Sequence, residues 1–136
     1  YSTAPSPTII TCGSDDGNGG EAAKVFICYA WKEVTGVSHF GTYEGTASTM
    51  TETGIGFTPK FLLIKSLGSG EWFIYDKFRG FGSSGNDDAK VLYANLDIAE
   101  GTTQPGITVS NGQFVMNTTN TNVNADGTNY IYAAFA

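Results

Sequence analysis

The acidic side chains that could act on a substrate stand beside aromatic ones. Glu71 precedes Trp72, Asp76 follows Tyr75 and Glu44 follows Tyr43. Paired carboxylates are the machinery of glycoside hydrolysis, and aromatic rings offer a flat apolar face to a sugar. Strand alternation produces the same pattern without chemistry, because successive residues point to opposite faces. Trp72, Tyr75 and Phe81 form a candidate sugar-stacking platform beside the cations Lys77 and Arg79. Phe81 lies in an Arg79-Gly80-Phe81-Gly82 loop and is expected to be the exposed aromatic, whereas Trp72 is expected in the core. Asp76 and Arg79 are expected to pair and fix the long loop that follows.

Other constellations are sparse. His39 is the sole histidine, so any Ser–His–Asp or Cys–His device would have to use it, and a surface strand position is expected instead. No Gly-x-Ser-x-Gly elbow and no zinc-type Cys/His spacing is present. No catalytic residue and no cofactor are therefore expected. Asp15, Asp16, Asn18 and Glu21 make an oxygen-rich loop, with Asp87 and Asp88 in a second. Asp16-x-Asn18 is a fragment of a calcium loop that lacks the required Gly and distal Glu, and a solvated turn is the expectation for both loops.

The elements that must position these groups are strands. The chain has 136 residues, 15% of them charged, with 18 Gly, 9 Phe and 7 Tyr. Aromatics fit pleated, half-buried surfaces and Gly and Asn fit turns. A net charge of −6 argues against a nucleic-acid partner and against docking on anionic lipid. No run of 18 apolar residues is present, so no membrane-spanning helix is expected. The opening Tyr1-Ser2-Thr3-Ala4-Pro5 carries no initiator Met and no signal-type segment, and a mature product or a piece of a longer polypeptide is expected.

Residues 1–7 read as an extended lead-in, and 8–136 as a single domain. Strands are expected at 8–12, 24–32, 39–44, 60–65, 71–76, 89–95, 106–110, 113–117 and 128–136, with polar loops between. About nine short strands without helical periodicity imply an all-β, two-layer antiparallel sandwich. The strand–loop–strand unit is written twice. Phe26-Ile27-Cys28-Tyr29-Ala30-Trp31 echoes Tyr130-Ile131-Tyr132-Ala133-Ala134-Phe135 at an offset of 104 residues. The two units could lie side by side in one sandwich or stack end to end in a tandem protein. A hairpin centred near residue 20 would set Cys12 opposite Cys28, where the echo has Met116 and Tyr132. A Cys12–Cys28 disulfide and two buried free thiols both stay open.

Longer blocks carry a resemblance. Trp31-Lys32-Glu33 through Gly36, Ser38, Phe40-Gly41 and Tyr43 is followed in order by Gly56-Phe57-Thr58-Pro59-Lys60-Phe61-Leu62-Leu63-Ile64-Lys65. Then come Trp72 to Asp76 with Arg79, Tyr93-Ala94-Asn95 with Ala99-Glu100, Asn111-Gly112-Gln113-Phe114, and Gly127-Thr128-Asn129-Tyr130-Ile131-Tyr132-Ala133-Ala134-Phe135-Ala136. Together they resemble a domain of tail fibres and other virion proteins of marine bacteriophages, cyanophages among them. Asp126 stands where that domain often has Gly. The resemblance implies an extracellular virion component, a fibre or adhesin-like module assembled as a homo-oligomer, with a trimer expected, or held by neighbouring virion proteins. A host-surface glycan or protein would be its ligand. It supplies no catalytic or binding residues. The alternatives are a purely structural fibre or filament repeat, and a carbohydrate-binding or carbohydrate-degrading module.

Overall fold

The computed structural model describes residues 6–11, 25, 27–81, 90–101, 106–116 and 120–136. The chain divides into two compact units, Tyr1–Trp31 and Lys32–Ala136.

In the first unit, none of the described residues belongs to a sheet. The described residues of the ranges 8–12 and 24–32 form no strand there, although the residue types favour one. A strand needs a neighbour for its backbone N–H and C=O groups, and here no ladder supplies one. Val25 is 94% exposed, Ile27 79% and Trp31 61%. The rings of Tyr29 and Trp31 stack on each other at 6.2 Å.

Among the described residues the second unit holds eight strands: β1 (Ser38–Glu44), β2 (Met50–Thr53), β3 (Phe61–Ser66), β4 (Trp72–Asp76), β5 (Leu92–Tyr93), β6 (Ile107–Ser110), β7 (Gln113–Met116) and β8 (Asn129–Phe135). They form two antiparallel sheets, ordered β1-β8-β3-β4-β5 and β2-β7-β6. The two-layer sandwich is as the strand pattern implies. β2 lies in a stretch that reads as a polar gap, and the strand expected at 89–95 contracts to two residues beside a Val91–Gly101 bridge. β7 and β8 lie in different sheets. The loop between them therefore crosses the sandwich, and the hairpin inferred for the echoed unit is not the geometry of its C-terminal copy.

β8 is the strand on which the large sheet is built. It pairs along its length with β1 on one side and β3 on the other, with Gly41 and Ile64 both opposite Tyr132. Tyr130, Tyr132 and Ala134 face the core, as period-two alternation requires. Tyr130 stacks on Tyr43 of β1 at 4.9 Å, and Phe114 of β7 meets Tyr43 and Tyr132 edge-on at 6.0 and 5.2 Å. Edge-to-face and offset rings are the favoured aromatic arrangements. The Tyr132 hydroxyl donates across the layers to Glu52 of β2 at 3.0 Å.

Buried tyrosines need partners for their hydroxyls, and a loop supplies them. Tyr43 donates to the Val123 carbonyl at 2.7 Å, and Tyr130 donates to the Thr121 carbonyl at 3.1 Å. Both carbonyls belong to α1 (Thr121–Asn124), a single turn with Asn120 as its cap. Four residues are too few to show periodicity, so the sequence reads as loop there. Asn124, fully buried, accepts from the Thr46 N–H at 2.9 Å and donates to the Ser48 carbonyl at 2.6 Å. The turn before β2 is thereby tied to α1.

Two close approaches follow. A Cβ on Gly45 would lie 2.1 Å from the Ala125 carbonyl oxygen, and one on Gly41 would lie 2.5 Å from the Tyr132 hydroxyl. The first obstacle is backbone and cannot swing aside. Gly45→Ala is expected to destabilise the sandwich by about 1–3 kcal/mol, as overpacking does. Asn124→Ala is expected to cost a similar ~1–3 kcal/mol by leaving buried backbone groups unpaired. Urea unfolding followed by tryptophan fluorescence measures both.

Candidate functional site

β4 ends in a capped turn. The Asp76 carboxylate accepts from the N–H groups of Phe78 and Arg79 at 3.0 and 3.2 Å. This starts a 3-10 helix, Lys77–Arg79, closed by Gly80 at φ 87°, a left-handed conformation suited to glycine. The turn leaves Phe78 99% exposed. Arg79 folds back instead. Its guanidinium pairs with the Asp76 carboxylate and donates from Nε to Glu100 at 2.7 Å. The other Glu100 oxygen receives Lys90 Nζ at 2.9 Å. The Lys90 N–H also donates to the Arg79 carbonyl at 2.9 Å.

An Asp76–Arg79–Glu100–Lys90 chain of ion pairs thus ties the end of β4 to the segments around β5. Exposed pairs contribute little stability each. Their consequence is position, since several pairs fix one turn. Phe78, Arg79, Gly80, Lys90 and Glu100 line an open cleft of about 410 Å³. Lys90, with help from Arg79, holds the Glu100 carboxyl below its ordinary range. The Asp76 and Glu100 carboxylates hold the Arg79 guanidinium in its charged form.

The aromatic platform expected from the sequence does not assemble. Tyr75 and Phe81 are buried, their ring centres 6.0 Å apart in the core. Phe73 and Tyr75 share the inward face of β4, and Phe81 re-enters the core after the Gly80 turn. Burial pushes the Tyr75 hydroxyl pKa up, and among the described residues that hydroxyl has no hydrogen-bond partner. Trp72, expected in the core, is 38% exposed on the outward face. It begins β4 while the turn follows the strand's end, so about 13 Å of extended chain separates them. Lys77 and Arg79 are at the turn as anticipated, and the Asp76–Arg79 pair forms. Phe78 was missed. Its signal was present in the strand-ending Asp76 and in Gly80, which together mark a capped turn displaying the residues between.

The remaining candidates stand apart from the cleft or outside the described residues. His39 Nδ1 lies 3.4 Å from Glu33 Oε1, and its ring is 5.9 Å from that of Tyr132. Cys28 is exposed. Its suggested partner Cys12, the oxygen-rich loop with Asp15, Asp16, Asn18 and Glu21, and the pair Asp87 and Asp88 lie outside the described residues. Among the described residues, no three His, Cys, Asp or Glu side chains gather to hold a metal ion.

The sequence profile of a domain of unknown function, DUF7483, matches residues 1–136. The chain belongs to the DUF7483 family. Neither a curated protein nor a solved structure matched it. The chemistry of this DUF7483 chain therefore has to be read from the cleft. An exposed ring stands there beside a guanidinium edge, an ammonium and carboxylates. Such a set can stack on an apolar sugar face and hydrogen-bond its hydroxyls.

The Glu100 shift gives a pH dependence of defined sign. A carboxylate lowered in the folded state from its usual 4.5 stabilises above the unfolded value. That contribution is lost as pH falls through the folded value. Glu100→Gln is thus expected to lower the urea midpoint at neutral pH, with the difference closing in strong acid. Tyr75→Phe removes an unpartnered buried hydroxyl and is expected to leave stability unchanged or raise it by up to ~1 kcal/mol in the same assay.

Proposed function

We propose that this chain is a non-catalytic structural and adhesin-like module of a bacteriophage virion, part of a tail fibre that presents a cleft to a host-surface glycan. The virion assignment is supported by the collinear blocks that resemble fibre domains along nearly the whole chain. The recognition role is carried by one observation: Phe78 is held out fully exposed by a capped, ion-paired turn beside an open cleft. Aromatic residues at fixed, exposed positions on loops are what binding sites often use.

Two features weigh against hydrolysis. Glu71 and Asp76 flank the ends of β4, about 17 Å apart along an extended strand, too far for the ~5–9.5 Å of a carboxylate pair. Asp76 and Glu100 do converge, on Arg79, but a general acid needs a raised pKa and that of Glu100 is lowered.

Self-assembly has its own support. The outward face of the large sheet carries an aromatic row, with Phe135 5.8 Å from Phe40 and 5.7 Å from Phe61. Leu63, Ala133 and Ile131 extend it. An apolar sheet face of this kind is the surface that homo-oligomers bury. A trimer in the virion would place three clefts on one assembly and raise avidity without new contacts.

Phe78→Ala is the decisive variant. Titration against a panel of bacterial surface glycans is expected to give saturable binding that weakens about tenfold or more in the variant, a loss of ~1.4 kcal/mol. Its melting temperature is expected to match the parent, because Phe78 packs on nothing in the core. Binding that Phe78→Ala leaves intact would remove the cleft from the account. Light scattering of the same samples is expected to report a trimer, which Ile131→Glu on the outward face dissociates.

A further inference from the structure

We propose that residues 25–31 are a β8-type strand that completes the large sheet of another copy of this sandwich, lying ahead in the same polypeptide, by entering between strands equivalent to β1 and β3. Among the described residues, 25 and 27–31 pair with no strand of either sheet. The slot this segment resembles is filled by β8, which pairs with β1 over seven positions and with β3 over six.

Register makes the assignment specific. At the offset of 104 residues, Phe26, Cys28 and Ala30 take the inward positions of Tyr130, Tyr132 and Ala134. Val25, Ile27, Tyr29 and Trp31 take the outward ones of Asn129, Ile131, Ala133 and Phe135. Every inward counterpart is apolar, and the position of fully buried Ala134 is again Ala. The echo extends upstream at the same offset, from Ile10 and Cys12 to Phe114 and Met116 of β7. The interval between the two echoed strands is thus conserved within the chain.

A second observation is independent of the echo. The division between the two compact units falls after Trp31, the counterpart of Phe135 at the end of β8. One repeat period from Lys32 ends at Phe135, and Tyr1–Trp31 ends where a preceding period would end. Exposed apolar strands with free backbone edges are aggregation templates unless something covers them. A β8 slot covers both edges and the inward face together. In this arrangement the chain passes from the closing strand of one sandwich through the Val34–Ser38 turn into β1 of the next. It holds whether or not the Phe78 cleft binds a glycan.

The test is a tandem in which residues 32–127 are joined directly to residues 24–136, which keeps the repeat register. The front copy then lacks its own β8, and residues 25–31 are the strand on offer. Amide hydrogen exchange is expected to be as slow at residues 27–31 of the tandem as in β8, and fast at the same residues of the single chain. Ala30→Arg is expected to abolish that protection in the tandem and to leave the melting temperature of the single chain unchanged. Because Cys28 is smaller than Tyr132, a Cys28→Tyr tandem restores the resident ring. If the segment stays unprotected in that variant too, the assignment is overturned. Slow exchange of residues 27–31 in the single chain would also overturn it, as would a tandem that tolerates Ala30→Arg and fails with Ile27→Arg.

Discussion

The sandwich depends on where three tyrosine rings of the interior put their hydroxyls. Tyr43 and Tyr130 stack at 4.9 Å across neighbouring strands, and Tyr132 meets Phe114 of the opposite sheet. A core of such rings gains large apolar area, and these three polar tips all find partners. Two of the tips reach backbone carbonyls of α1 and the third reaches Glu52 of β2. The same contacts that fill the core therefore shape the crossing loop and tie the second sheet to the first. Gly41 and Gly45 mark the cost of this closeness, for a ring and a carbonyl occupy the space where their side chains would be.

A different economy governs the cleft. The ion pairs there involve at least one partly exposed partner, so each stabilises the fold only modestly. Asp76 instead acts twice on geometry, capping the 3-10 helix with one oxygen and holding Arg79 with the other. Glu100 extends the chain of charges to Lys90. The turn is left with one outlet for its aromatic residue, which is solvent. Rigid strands below and a charged brace above are what allow an exposed phenylalanine to keep a fixed place.

The aromatic side chains show how far local pattern carries. The strands at 60–65 and 128–136 were readable, and so were the hairpins at Gly68-Ser69-Gly70 and Asn111-Gly112. The Asp76–Arg79 pair was readable from spacing. Trp72, Tyr75, Phe78 and Phe81 were not, because all four are aromatic and only the strand's parity and the direction of the Gly80 turn separate inward from outward. β2 and α1 escaped for another reason. Neither has a strong pattern of its own, and each exists because distant groups hold it: Met116 and its neighbours pair with β2, and Tyr43, Tyr130 and Asn124 anchor α1 to the turn before it.

By itself the sequence determined the class of the fold, the order of most strands and the segment pattern that is written twice. Those features rest on composition, period-two alternation and local turn chemistry, which act between residues close in the chain. Only the tertiary structure decided which copy of the duplicated strand enters the sheet, which sheet each strand joins and which aromatic stands in solvent. A strand is satisfied by neighbours that lie far away in the chain, as β8 is by β1, so pattern alone does not say which segment is paired. Residues 129–135 occupy the slot between β1 and β3, and residues 27–31, written in the same pattern, lie outside it.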